Sequence, residues 1–328
     1  MNKVLVTGGC GFIGSNFINH LIFEGDYEIR NLDSLTYAGN LENLTELKGY
    51  KNYKLNRGDI CDSELVDFIF DKFEPNYVVN FAAESHVDRS IENPEDFIRT
   101  NVEGTRVLLG AALNNFELKK GFEKFIQIGT DEVYGSLDKD SPSSKETDTL
   151  DPSSPYSASK ASADHLARSY FKTYGLPVCI TRSSNNFGPK QNKEKFMPLI
   201  ITNLIEGEKI PVYGEGENIR DWLYVGDNCI AIEEVMNNGK PGEIYNIGGG
   251  NELRNIDLTK KILKKMNCDE SMIKFVKDRK GHDKIYSLDC SKIENELGWF
   301  PILPFERGLN LTIDWYKRNE NWWKRLKD

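Results

Sequence analysis

The chain has 328 residues and a formal net charge of −9, with 51 acidic against 42 basic side chains. That length allows one large or two closely packed domains, and the acidic balance argues against a general nucleic-acid surface. No apolar run reaches the roughly 18 residues of a membrane span, and Met1-Asn2-Lys3 passes straight into an apolar strand pattern without a cleavage site, so a cytoplasmic location is expected.

Short apolar runs predict strands at Lys3–Thr7, Glu28–Asp33, Tyr53–Asn56, Tyr77–Ala82, Phe125–Gly129 and Val178–Arg182. Helical patterns fall between them, at about 13–24, 63–73, 94–115 and 156–174. Alternation of this kind predicts a doubly wound parallel sheet with helices on both faces. Asn93-Pro94-Glu95 reads as a helix start, and the Ser-, Pro- and Asp-rich stretch 138–155 reads as a surface loop. Beyond about residue 183 the alternation fades. Helices are expected near 194–206, 224–237, 255–266 and 305–318, with strand-like pieces at Ile210–Tyr213 and Glu243–Ile247. The expected division is a dinucleotide domain over 1–183 plus about 221–248, and a smaller mixed α/β substrate-binding lobe over about 184–220 and 249–328. Trp322-Trp323 reads as packing or interface surface. Six scattered cysteines form no CxxC pair, and the four histidines have no ligand spacing, so no metal site is expected.

The first strand runs into Gly8-Gly9-Cys10-Gly11-Phe12-Ile13-Gly14, followed by a helical pattern. Glycines at Gly8, Gly11 and Gly14 allow a tight turn, close approach to a pyrophosphate and its seat on the helix N-terminus, with Phe12 and Ile13 alongside. Asp33 ends the second strand, where a carboxylate accepts from both ribose hydroxyls and repels a 2′-phosphate. The cofactor expected is therefore NAD rather than NADP. Asp59 and Ile60 end the third strand, toward the adenine, where Asp59 accepts from the amino group and Ile60 packs on the ring; the alternative is a helix-entry turn with Asp62 as its cap.

Thr130-Asp131-Glu132 follows the fifth apolar run, and Tyr156-Ser157-Ala158-Ser159-Lys160 follows about 25 residues later. Tyr156 and Lys160 lie one turn apart on a helix face. A lysine ammonium beside a phenol favours the phenolate, which is a base. Adjacent carboxyls add an acid and a second base, a set suited to redox chemistry coupled to loss of water.

Together with Ala82-Ala83-Glu84-Ser85-His86-Val87-Asp88-Arg89-Ser90, Asn185-Asn186-Phe187-Gly188-Pro189, Arg220-Asp221-Trp222-Leu223-Tyr224-Val225 and Asp278-Arg279-Lys280-Gly281-His282-Asp283, these motifs resemble the extended short-chain dehydrogenase/reductase group, with its Rossmann-type fold. More narrowly, they are similar to the dTDP-glucose 4,6-dehydratase family. The resemblance spans nearly the whole chain, and the Thr-Asp-Glu triplet is its specific part. It implies that Tyr156 takes a proton from the sugar hydroxyl on carbon 4 while NAD takes the hydride. Lys160 would tune Tyr156 and hold the nicotinamide ribose, and Thr130 would place the hydroxyl. Glu132 would remove the proton on carbon 5, and Asp131 would protonate the departing hydroxyl on carbon 6. NADH would then return hydride to carbon 6, so the cofactor stays bound.

By the same resemblance Ala82 borders the cofactor, Asn185 lies beside the nicotinamide, and Ser85, His86 and Arg89 lie where the sugar enters. Asn186, Arg220 and Arg279 approach the diphosphate. Glu194, Lys195, Phe196, Pro211, Tyr213, Asn255 and His282 fall on the nucleotide side. The sequence departs from the family at Lys280 and at the Lys190-Gln191-Asn192 loop, which puts the base in question: dTDP-glucose is expected, with UDP, GDP or CDP as alternatives. A related epimerase or decarboxylase would share NAD, Tyr156 and Lys160, and an NAD-binding sensor or scaffold would share the fold. A homodimer is expected, pairing the 94–115 and 156–174 helices across a two-fold axis through Val107, Leu108, Ala111, Ala161, Leu166 and Tyr170.

Overall fold

The computed structural model describes residues 1–326. Twelve strands are numbered here in chain order: β1 (Asn2–Thr7), β2 (Tyr27–Asp33), β3 (Tyr53–Arg57), β4 (Tyr77–Asn80), β5 (Lys124–Ile128), β6 (Val178–Ser183), β7 (Asn185–Phe187), β8 (Ile210–Tyr213), β9 (Ile219–Tyr224), β10 (Ile244–Ile247), β11 (Glu252–Arg254) and β12 (Ile273–Val276). Seven form one parallel sheet in the order β10-β6-β5-β4-β1-β2-β3. The strand order reverses between β1 and β4, which opens a crevice at their carboxyl ends.

Period-two alternation sorts the strand side chains onto two cores. Val4 and Val6 of β1 meet helices Phe12–Glu24 and Val225–Asn238 on one face. Leu5 between them meets helices Ser63–Phe73, Thr105–Glu117 and Pro155–Tyr174 on the other. This is the Rossmann-type doubly wound arrangement that the alternation predicts. The last of these helices starts sharply because Ser154 and Ser157 form a reciprocal capping box and Pro155 occupies the first turn.

The 94–115 pattern is not one regular helix. A short α-turn (Glu95–Phe97) leads into a π-helical stretch, Ile98–Gly104, and then Thr105–Glu117. Asn101 in the π stretch donates to Ser159 Oγ at 2.8 Å and to the Glu84 carbonyl at 3.0 Å, so side-chain pairing across segments accompanies the wider turn. A further short helix, Val87–Glu92, is capped by His86 and was not expected from the sequence.

The remaining strands build the smaller lobe. β7, β9 and β11 form one sheet, and β8 pairs with β12 in another. Since β9 belongs here, the return to the main sheet begins at helix Val225–Asn238. The lobe has its own core, with helices Phe196–Glu206, Asn255–Lys265 and Phe305–Arg318 packed around Phe187, Trp222 and Tyr316. Trp322 and Trp323 are buried in it. The indole of Trp322 donates to Asn43 Oδ1 at 2.9 Å, and the Asn43 amide donates to the Cys10 carbonyl at 2.9 Å. No helix is long and apolar enough to cross a membrane among the described residues.

Candidate active site

A cavity of about 820 Å³ occupies the crevice at the carboxyl ends of β1 and β4. Its floor is the glycine turn. Gly8 adopts φ +66°, and a Cβ there would fall 2.7 Å from the Cα and N of Ala82. At Gly14 a Cβ would meet the Gly8 carbonyl at 2.5 Å. Helix Phe12–Glu24 has no side-chain cap, so its first N–H groups are offered to the cavity.

Asp33 Oδ2 accepts from the Cys10 N–H and Oδ1 from the Leu35 N–H, each at 2.8 Å. Those bonds fix the carboxylate at the cavity wall. Burial pushes its proton affinity up, and the two N–H donors hold it down. Asp59 also lines the wall, with Oδ2 paired to Arg99 at 2.6 Å, beside buried Ile60. Asp62, not Asp59, caps helix Ser63–Phe73.

At the inner end stand Thr130, Asp131, Glu132, Tyr156 and Lys160, all lining the same cavity. Thr130 caps a 3-10 turn, Asp131–Tyr134, just past β5; its hydroxyl accepts from the Glu132 N–H at 3.3 Å and donates to Asp131 Oδ1 at 3.2 Å. Asp131 Oδ2 is buried without a partner among the described residues. Burial, and then the charge of Glu132, raise the proton affinity of Asp131 well above the carboxylate range. Burial also raises Glu132, but Arg220, Arg279 and Lys195 oppose it.

The expected stabilisation of the Tyr156 phenolate by Lys160 is not what these residues alone provide. Burial, then Glu132 and Asp131, push the Tyr156 phenol above its ordinary value, and the Lys160 ammonium donates instead to the Ile128 carbonyl. Burial pulls Lys160 down to about 8.

Of the remaining expected residues, Ala82, Ser85, Arg89, Asn185, Asn186, Glu194 and Lys195 line the cavity. Arg89 pairs with Glu194 at 3.1 Å and stacks on the Tyr37 ring at 3.9 Å, while Lys195 donates to the Ser85 carbonyl at 2.9 Å. Asn185 and Asn186 each keep a side-chain Oδ1 without a hydrogen-bond partner among the described residues. Tyr37 was missed by sequence reasoning, because nothing local marks a tyrosine in a loop as a partner for an arginine 52 positions away.

His86, Phe196, Pro211, Tyr213, Arg220, Asn255, Arg279 and His282 do not line this cavity. His86 caps its helix, and its Nε2 lies 3.8 Å from Glu194. Phe196 stacks on Trp222 in the lobe core, with ring centroids 6.5 Å apart. Asn255 opens helix Asn255–Lys265. Pro211 and Tyr213 lie on β8. The Tyr213 ring meets His282 edge-on, His282 bonds Asp278 at 2.7 Å, and Arg279 approaches Asp88 at 3.7 Å. These groups form a second, polar cluster on the lobe. Arg220 links it to the acid pair: carbonyls of Ile219, Asp283 and Lys284 and the ring of Tyr286, 4.1 Å away, hold its guanidinium.

The cradle at Gly8, the uncapped helix and the placed carboxylate of Asp33 fit a dinucleotide, and the acid pair beside Tyr156 fits dehydration. Comparison with known proteins bears on the same point. A family model described as GDP-mannose 4,6-dehydratase matches residues 5–312. The dTDP-glucose 4,6-dehydratase of Escherichia coli is 49% identical over 99% of this chain and 96% of its own. The chain belongs to the dTDP-glucose 4,6-dehydratase family. The solved structure of that enzyme from Streptomyces venezuelae, with NAD and dTDP bound, is 46% identical with a TM-score of 0.94, over 99% of this chain and all of the other. A UDP-glucose 4-epimerase from Thermotoga maritima has the same fold at 32% identity and a TM-score of 0.89, over 97% of this chain and 99% of its own. Fold alone therefore does not separate the two chemistries.

Proposed function

We propose that this chain catalyses the NAD-dependent dehydration of dTDP-glucose to dTDP-4-keto-6-deoxyglucose, a hydro-lyase reaction. The observation that carries the reading is the split between Asp131 and Glu132. Two adjacent carboxyls face one cavity beside Tyr156: burial and then the charge of Glu132 raise the proton affinity of Asp131, while the rise that burial gives Glu132 is opposed by Arg220, Arg279 and Lys195. That asymmetry suits Asp131 to the role of acid and Glu132 to that of base.

Bound NAD, held by Gly8, Gly11, Gly14, Asp33 and Asn185, supplies the hydride acceptor and later the hydride donor. Tyr156 accepts the proton of the carbon 4 hydroxyl, oriented by Thr130. The ketone acidifies carbon 5, whose proton passes to Glu132. Asp131 gives its proton to the carbon 6 hydroxyl, which leaves as water; carbon 6 then takes back the hydride and Glu132 returns its proton to carbon 5. Lys160 favours the phenolate form that Tyr156 needs before it takes the carbon 4 hydroxyl proton. Arg220 approaches the substrate diphosphate from the lobe, and Arg279, Tyr213 and His282 receive the nucleotide on the lobe formed by about 184–220 and 249–328.

A cytoplasmic homodimer completes the proposal. Val107, Leu108, Ala111 and Ala161 are buried within the chain's own core, so they cannot supply the contact. Leu166 and Tyr170 stay partly open, and Ile98 and Tyr174 are exposed beside them.

The deciding experiment offers dTDP-, UDP-, GDP- and CDP-hexoses to the purified protein and weighs the products. Loss of one water from dTDP-glucose is expected. An isomer of unchanged mass would replace the dehydratase reading by an epimerase.

A further inference from the structure

Behind the catalytic face, helix Pro155–Tyr174 carries a carboxylate that the reaction above does not use. Asp164 lies one turn beyond Lys160 and is fully buried. Its Oδ2 accepts from Arg182 Nε at 2.9 Å, and Arg182, also buried, donates from Nη1 to the Tyr134 hydroxyl at 2.9 Å. Oδ1 has no hydrogen-bond partner among the described residues, and it lies against Gly129, where a Cβ would be 3.2 Å away. Gly129 stands between Ile128, whose carbonyl receives the Lys160 ammonium, and Thr130. One oxygen of this carboxylate therefore faces the strand end that carries the site, with its charge only partly answered. Buried ion pairs are weak devices for stability, because desolvation offsets their attraction. The pair's position one turn from the catalytic lysine gives it another use.

We infer that Asp164 is a positioning residue for the reaction: its buried carboxylate is the counter-charge of the Lys160 ammonium, and Arg182 fixes that carboxylate in place. The inference rests on the reading of Lys160 as the partner of Tyr156. Burial lowers Lys160 to about 8, and Asp164 is the charge that opposes the fall. Asp164 is itself raised by burial and held down by Arg182, then by Lys160 and His165. On the Arg182 side the facing groups are Tyr134 and, beyond it, Glu146. On the substrate side Asp131 and Glu132 face Tyr156. Among these, Asp164 is placed to keep the lysine charged without touching substrate.

The test is the pH profile of the first hydride step, read as NADH absorbance in a single turnover with dTDP-glucose. Asp164→Asn preserves shape and removes the charge. One charge about 6 Å away at an effective dielectric constant of about 20 displaces a titration by up to roughly two pH units. The alkaline limb should therefore move down by about one to two units, with the acid limb in place. A purely structural role would lower the amplitude and leave the limb where it was. If an unpaired Arg182 prevents folding, the double variant Asp164→Asn with Arg182→Met removes both charges and should show a smaller displacement in the same direction, because the guanidinium partly offsets the carboxylate. An unmoved limb in a folded variant overturns the inference. Lys160→Met separates the two levels. If it keeps the native profile, the reading of Lys160 is wrong; if it abolishes the step while Asp164→Asn behaves as native, only the role of Asp164 fails.

Discussion

Gly8→Ala is the sharpest perturbation that the site offers. The residue sits at φ +66°, which costs a residue with a Cβ about 1–2 kcal/mol. The new methyl would also lie 2.7 Å from backbone atoms of Ala82 and 2.9 Å from the Phe81 carbonyl carbon, none of which is the movable end of a side chain. Overpacking of that kind adds about 1–3 kcal/mol. The total, about 2–5 kcal/mol, corresponds to a fall in melting temperature of roughly 3–7 °C for a chain of this size. Relief comes only if β1 and β4 part, and that lifts the turn away from the pyrophosphate. NAD affinity should then fall at least about 30-fold, the equivalent of about 2 kcal/mol. Gly11→Ala is the control for the fold, since its Cβ would meet only the Gly8 carbonyl, at 3.3 Å. Circular dichroism melts and titration calorimetry with NAD read both quantities. If Gly8→Ala melted within a degree of the native protein and bound NAD equally well, the account of this turn would be wrong.

Glu132→Gln should still oxidise carbon 4 but stall before elimination, with NADH or a 4-keto-hexose accumulating in quenched single-turnover samples; Asp131→Asn should slow elimination by about 10²–10⁴-fold. Native rates in Glu132→Gln would make the acid pair structural. Because burial and then Glu132 and Asp131 disfavour the Tyr156 phenolate, NADH formation should quicken as pH rises and decline where Lys160 discharges, near 8; a rate that falls steadily from pH 6 upward would contradict this. Cofactor-stripped protein should bind NAD at least about tenfold tighter than NADP, since a 2′-phosphate would meet the Asp33 carboxylate, and equal affinities by calorimetry would remove that role. Sedimentation at micromolar concentration should give a dimer that Ile98→Glu with Tyr174→Glu weakens, whereas a monomeric native protein would end the dimer proposal.

What the sequence made legible was local. β1, β5 and β6 announce themselves as apolar runs, and Tyr156 with Lys160 needs only helical spacing. β7 and β11 escaped notice with three residues each, too few for a period to register; β9 and β12 were missed as well, although β8 and β10, of four residues, were read. The π stretch at Ile98–Gly104 hides inside a pattern that is helical on average. Pairings across the chain were invisible for another reason: Arg89 with Tyr37 and Glu194, or Arg220 with Tyr286, depend on how segments far apart in sequence meet. The phenol of Tyr156 shows the same limit. Spacing placed a lysine near it, but which charge dominates there is set by burial and by two carboxyls from another segment.

The hydrogen bond from Trp322 to Asn43 joins residues 279 positions apart, and Asn43 in turn holds the glycine turn through the Cys10 carbonyl. On a ribosome adding about 5–20 residues per second, the first strand and its turn wait some tens of seconds for the indole that secures them. During that interval the nascent half-site has its glycines but not its clamp, and Trp322 also lines the finished cavity. The brace of the glycine turn is thus among the last parts of each molecule to be made, long after the strands that it steadies.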